Sequence, residues 1–400
     1  MANNLTTLEE NKEMDSSKIL AEACAAAAAA VGAQSTNSPT TSAHPPIPVP
    51  TKTLSFKVND QIGDVQVHIQ GELDEKKAIF LTVHDIGFNH RSMKDFVDLD
   101  CLSEIRMRSV FIHVDVPGQE DDAKDLEHFP TIQQIGEEVL LKVLDELKIQ
   151  LCVGIGDGAG ANILARFGLA HPERILGLVL INLVSLGVGF LESIKEKFFS
   201  KRRSSQQLCP EEIVTMHKLG NTAGDGLKYL VDNYSSHIKK INSTNLHRFM
   251  SAYMNRKEIV DLGNLDILLV TGSKSPFAAG VEHIYTKCDK QKTSLLKVDN
   301  CVDVVSQCPE KFAQSLLLFV KGLGFLTSLQ LPGITHGGKE KFNNDYYMIF
   351  IVKISDLCYN KGDTPPSKSS LAAIGRRRTL SMEEYDIPRM RRLSLTKDSR

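Results

Sequence analysis

No pair of cysteines in this sequence marks a metal knuckle or a disulfide scaffold. The eight are scattered at Cys24, Cys101, Cys152, Cys209, Cys288, Cys301, Cys308 and Cys358, with no C-x-x-C and no recurrent spacing with histidine. That pattern excludes a zinc site readable from spacing, so no metal and no cofactor is expected. Several cysteines sit inside apolar runs, as in Leu151-Cys152-Val153, where a reduced thiol acts as a small hydrophobe. A reducing compartment follows. An excess of one charge is missing too: 47 Lys and Arg against 49 Asp and Glu leave a net charge of -2. No field of one sign then gathers nucleic acid, and any basic site must be local. Long apolar runs are also lacking. Tyr346 to Val352, followed by Lys353, falls far short of the roughly 20 residues that cross a bilayer. Met1 to Asp15 is polar and acidic, without the basic start and apolar stretch of a secretory signal. A soluble protein is expected.

What is present divides into parts. Residues 1–50 combine the alanine run Ala25 to Ala30 with a Ser/Thr/Asn/Pro segment ending in His44-Pro45-Pro46-Ile47-Pro48-Val49-Pro50, a composition with little to bury, and are expected to be a disordered arm. From Thr53 the pattern changes. Val65 to Ile69 alternates as a strand with one solvated face does, while Ala78 to Val83 and Val110 to Val114 are continuous apolar runs suited to central strands. Ile132, Ile135, Val139, Val143, Leu144 and Leu147 recur at helical spacing after Pro130. The order then repeats: strand Ile149 to Gly156, helix Ala159 to Ala170, strands Ile175 to Ile181, Ile267 to Thr271 and Leu295 to Val298, helix Pro309 to Lys321. This is an α/β pattern, a mostly parallel sheet covered on both faces. It spans residues 51–325. Residues 185–260 break the rhythm with helical propensity, charges and glycines, and are expected to be a helical cap inserted over the sheet's C-terminal edge. Residues 326–362 form an extension without an assignment, and the polar, basic residues 363–400 are expected to be a disordered tail.

The chemistry-bearing segment is Val153-Gly154-Ile155-Gly156-Asp157-Gly158-Ala159-Gly160-Ala161. Small residues flanking a strand-to-helix turn are what the nucleophile elbow G-x-S-x-G of α/β-hydrolases needs. Here the register puts Gly158 where the nucleophile stands. Glycine has no oxygen or sulfur to attack with. The acid is then expected after strand Ile267 to Thr271, where Ser275 stands. The base is expected near Asn300-Cys301-Val302-Asp303, assigned here to Val302, and no histidine lies between His283 and His336. Gly158, Ser275 and Val302 are therefore read as vestigial triad positions, and the chain as no hydrolase. His84, Asp85 and Asp157 are the candidate pocket residues, because His84 and Asp85 end a strand where hydrolases place the oxyanion loop. Gly154, Gly156 and Gly158 match part of a dinucleotide fingerprint, but the following strand ends at Asn182 without an acidic ribose partner.

The strings Val83-His84-Asp85-Ile86-Gly87-Phe88-Asn89-His90-Arg91-Ser92, His113-Val114-Asp115-Val116-Pro117-Gly118 and Gly156-Asp157-Gly158-Ala159-Gly160-Ala161-Asn162-Ile163-Leu164 resemble the N-Myc downstream-regulated (NDRG) family, over residues 53–325. The resemblance implies an α/β-hydrolase-like fold without hydrolase residues, a cytoplasmic setting, roles in stress response, differentiation and signalling, and a phosphorylated tail. The alanine-rich arm and residues 331–362 depart from it.

The leading expectation is a non-enzymatic adaptor or regulator with protein partners. Two alternatives are a cryptic hydrolase using Asp157 with His84 or His113, and a small-molecule or lipid sensor without turnover. In the tail, Arg376 and Arg378 precede Ser381, and Arg389 and Arg391 precede Ser394, by five and three residues. A basic-directed Ser/Thr kinase reads that spacing through paired guanidinium groups. Thr379 and Thr396 are secondary phosphorylation candidates. The unmodified tail is expected to lie on acidic membrane or protein surfaces.

Overall fold

A computed structural model describes residues 50–73, 77–186, 210–220 and 227–330. The arm before Pro50, the charged stretch of the cap from 187 to 209, residues 331–362 and the tail with Thr379, Ser381, Ser394 and Thr396 lie outside the described residues.

Among the described residues, eight strands form one sheet in the order β1-β2-β4-β3-β5-β6-β7-β8. They are β1 (Thr51–Asn59), β2 (Gly63–Gln70), β3 (Ala78–Val83), β4 (Ser109–Val114), β5 (Cys152–Asp157), β6 (Ile175–Ile181), β7 (Ile267–Gly272) and β8 (Thr293–Val298). From β4 to β8 every pairing is parallel, while β1–β2 and β2–β4 are antiparallel. Parallel pairing requires crossovers. These include α1 (His90–Val97), α2 (Leu140–Glu146, preceded by Ile132–Gln134 and the π turn Ile135–Val139), α3 (Ala159–Ala170) and α7 (Ala278–Lys287), while α8 (Pro309–Gly322) follows β8 and packs back on the sheet. Between β6 and β7 stand α4 (Pro210–Leu219), α5 (Lys228–Ile238) and α6 (Ser243–Met254).

Each central strand is apolar on both faces because each face carries its own layer. Leu81, Val83, Ile112 and Val114 pack with α2, α3 and cap residues such as Tyr234, Phe249 and Tyr253. Their neighbours Phe80, Phe111, Val153 and Ile155 pack on the other side with Met93 and Phe96 of α1 and Phe312, Leu316 and Val320 of α8. Phe325, Leu326 and Leu329 join this second layer. Burying one such side chain completely stabilises by roughly 1.5–3 kcal/mol, so both layers are indispensable. Cys152 lies fully inside and its thiol is pushed up to about 12 by burial, as an inert core thiol should be.

One expectation fails in an informative way. The alternation of β2 predicts a solvated polar face, yet His68 and Gln70 are buried. The loop before β4 and the start of α1 cover that end of the strand. The two side chains are instead hydrogen-bonded, His68 to Asp115 and Gln70 to Asp98 and His113.

Candidate functional site

Val83 of β3 pairs with Val114 of β4 and with Gly156 of β5, so the segments beginning at His84, Asp115 and Asp157 leave the sheet side by side at its C-terminal edge. This is where open α/β sheets place their sites. At the β5–α3 turn Gly158 has φ 53° and ψ -108°, a left-handed conformation in which a side chain is strained. The sharp strand-to-helix turn expected from these glycines is thus formed, with Gly158 as the N-cap of α3. Gly160 permits the helix to approach closely, since a Cβ there would lie 2.1 Å from the Val83 carbonyl oxygen.

The space beside Gly158 is taken. A Cβ on Gly158 would lie 2.1 Å from Asp85 Oδ1 and 2.3 Å from Oδ2. The Asp85 carboxylate is held there by the backbone: Ile86 N–H and Ala159 N–H each donate to Oδ1 at 2.8 Å. In a working hydrolase the amide after the nucleophile and one from the loop after β3 receive the oxyanion. Here the chain's own anion occupies both donors. It also serves α3, whose N-cap Gly158 offers no side-chain cap.

A buried ammonium closes the site. Lys218, on α4 of the cap, donates to Asp85 Oδ2 at 3.0 Å and to Asp157 Oδ2, with Lys218 and Asp85 side chains 3% and 1% exposed. Burial acts to raise the pKa of Asp85, but Lys218, His217 and the Ala159 amide outweigh it and hold the carboxyl below its usual range. Burial and the neighbouring carboxylates Asp85 and Asp303 push Asp157 upward against the pull of Lys218. A second cap contact lies beside it, where Tyr234 on α5 donates to Asp303 Oδ2 at 2.5 Å.

The other expected residues fall as follows. His84 is buried with both ring nitrogens engaged: Nδ1 donates to the Asp85 carbonyl at 2.8 Å and Nε2 accepts from Val116 N–H at 2.9 Å. His113 contacts Thr82 Oγ1 at 2.7 Å and Gln70 Oε1 at 3.0 Å. Neither pairs with Asp157, whose partner is the lysine, so the Asp157–histidine arrangement of a cryptic hydrolase is not formed. Ser275 donates to Asn182 Oδ1 at 3.2 Å, and Val302 contributes its N–H to Gln307 Oε1 at 2.8 Å. Sequence reasoning missed Lys218, because a lysine in a charged helical stretch reads as solvated. Near the ammonium, Asp157 Oδ1, His217 Nε2, Tyr253 OH and Asp303 Oδ1 are buried without a hydrogen-bond partner among the described residues.

A sequence profile described as the Ndr family matches residues 55–327. The chain is 36% identical over 282 residues to the Caenorhabditis elegans protein named "Uncharacterized protein ZK1073.1", covering 68% of this chain and 85% of that protein. It is 30% identical over 296 residues to Protein NDRG3 of Xenopus tropicalis, covering 70% and 75%. Among solved structures, a hydrolase from Pseudomonas aeruginosa PA01 is similar with TM-score 0.53 and 18% identity, covering 67% of this chain and 98% of its own. An esterase from Thermogutta terrifontis is similar with TM-score 0.55 and 12% identity, covering 68% and 99%. At those identities the likeness is one of fold.

Proposed function

The chain belongs to the Ndr family, and from that premise we propose that it is a non-enzymatic regulator or adaptor built on a hydrolase scaffold. The observation that carries this reading is the Asp85 carboxylate on the Ile86 and Ala159 amides. A tetrahedral oxyanion entering there would meet a buried negative charge in place of free donors. With Gly158, Ser275 and Val302 at the triad positions, neither nucleophile nor proton relay is supplied. A fluorophosphonate serine-hydrolase probe should therefore label neither the native chain nor Gly158→Ser, whose hydroxyl would stand unassisted against Asp85. Covalent labelling of native protein within the cleft would overturn the reading.

The proposed output is protein docking, regulated from the tail in a cytoplasmic signalling, stress-response or differentiation setting. From Leu371 to Arg400 there are eight Arg and Lys against four acids. Phosphates on Ser381 and Ser394 add roughly three to four negative charges, taking the segment to about neutral and releasing it from acidic surfaces. Affinity purification with and without residues 363–400, combined with phosphosite mass spectrometry, tests this; identical partners and unmodified serines under every stimulus would sink it. A second reading, a small-ligand sensor, is favoured by the unpartnered buried atoms around Lys218, which a compact polar molecule would satisfy.

A further inference from the structure

Beside the plugged cleft the fold assembles a second polar cluster that the reading above does not use. His68 comes from β2, His90 from the first turn of α1, and Asp115 from the end of β4. The histidines lie 47 and 25 residues from Asp115 in sequence, so no spacing along the chain reveals them. His68 Nε2 and His90 Nδ1 both donate to the same oxygen, Asp115 Oδ2, at 3.0 and 2.9 Å. The rings stack with centroids 3.4 Å apart and planes inclined by 19°. The three donor atoms lie within 4.8 Å of one another.

We propose that His68, His90 and Asp115 form a binding site for one zinc-class divalent ion. Two imidazole nitrogens and a carboxylate suit Zn²⁺ better than Mg²⁺ or Ca²⁺, which take oxygen sets, and the cluster contains no thiolate to favour Cu(I). Three protein ligands leave a fourth position for water or a substrate oxygen. The supports of a metal site are also present. Thr53 Oγ1 lies 2.9 Å from His68 Nδ1 and can accept its proton when Nε2 turns to the ion. The His90 backbone N–H donates to Asp115 Oδ1 at 2.5 Å, fixing the carboxylate from its other oxygen. Coordination uses the lone pairs of His68 Nε2 and His90 Nδ1, so the two N–H···O bonds to Asp115 give way to metal–nitrogen bonds. The Asp115 side chain is 0% exposed, His68 8% and His90 12%, so the ion enters from the His90 side. Seating it requires the stack to open, and the more exposed His90 is the ring with room to swing. This departs from the expectation of no metal, which rested on cysteine and histidine spacing alone.

The full chain, stripped with chelator and titrated with Co²⁺, should take up one equivalent with visible d–d bands, no thiolate charge-transfer band, and displacement by Zn²⁺. His68→Gln and His90→Gln should each weaken binding roughly a hundredfold, and Thr53→Val, which removes only the outer partner, about tenfold. In unmodified protein, Zn²⁺ should protect His90 from acylation by diethyl pyrocarbonate, mapped by mass spectrometry, so the idea stays testable if a variant misfolds. Absence of cobalt bands, a thiolate band, unchanged affinity in both histidine variants, or protection confined to other histidines would each overturn the site.

Discussion

Two buried carboxylates stand at the ends of neighbouring strands, and the fold pairs them with different partners. Asp85 follows β3 and Asp115 follows β4, with Val83 and Val114 in register just before them. Asp85 meets two backbone amides and the Lys218 ammonium. Asp115 meets one amide and two imidazoles. Burial alone would lower the pKa of Lys218, but Asp157 and Asp85 outweigh it and hold it well above the ordinary lysine range. That charge is permanent. The imidazoles at Asp115 instead present ring nitrogens, atoms of the kind that ligate metals. At one strand end the carboxylate is thus held by a fixed cation and two amides, and at the next by one amide and two rings.

The sharpest way to break the comparison is to remove the permanent charge. Lys218→Met leaves Asp85 and Asp157 facing each other without a cation, and should destabilise by about 3–5 kcal/mol in urea unfolding. The triple variant with Asp85→Asn and Asp157→Asn should recover most of that loss. A change under about 1 kcal/mol for Lys218→Met would mean that the cap lysine is not a lock.

Acid titration should separate the regions next. Burial, followed by His90 and His68, pushes His113 down to about 3 from 6.5. Between those values the unfolded chain binds the proton and the folded chain does not, so stability is full above pH 6.5 and falls as pH drops toward 3. The loss should reach a few kcal/mol, in addition to that from Asp85 and Asp115, whose lowered pKa values withdraw stability only below about pH 4. His113→Gln should flatten the upper part of the profile measured by denaturation, and an unchanged slope would count against it.

The smallest effect concerns the support of His90. Asn89 caps α1 by accepting from Arg91 N–H at 3.2 Å and donates to Asp121 at 2.8 Å. Asn89→Ala should cost about 1 kcal/mol and leave Lys218 and its partners untouched. Thermal melting with hydrogen exchange across α1 and α4 checks this; equal loosening of both helices would mean that the two regions are one unit.

Much of the scaffold was legible. Apolar runs marked β3, β4, β6 and β7 because strands buried on both faces need them. The small residues from Gly154 to Ala161 located the elbow because only they allow its turn and close packing. Strand β1 was not read, since its exposed residues are in keeping with an edge. Helix α1 was missed as well: its eight residues are too few for periodicity to stand out. At the site, Asp85 was identified as a pocket residue from its place at the strand end. Its anion's position on the Ile86 and Ala159 amides was not, because that depends on a contact 74 residues away at Ala159.

By itself the sequence determined which atoms are available: no side-chain oxygen at Gly158, no histidine in the loop after β8, and a glycine-rich turn able to take the elbow's backbone. Those are properties of composition and local spacing, which no packing can alter. Only the tertiary structure decided what the remaining polar groups do. Lys218 reaches Asp85 across 133 residues, and His68 reaches Asp115 across 47. Whether a charged side chain faces water or a buried partner is a long-range matter, set by which surfaces the sheet and cap bring together and by the cost of leaving a buried charge unpaired.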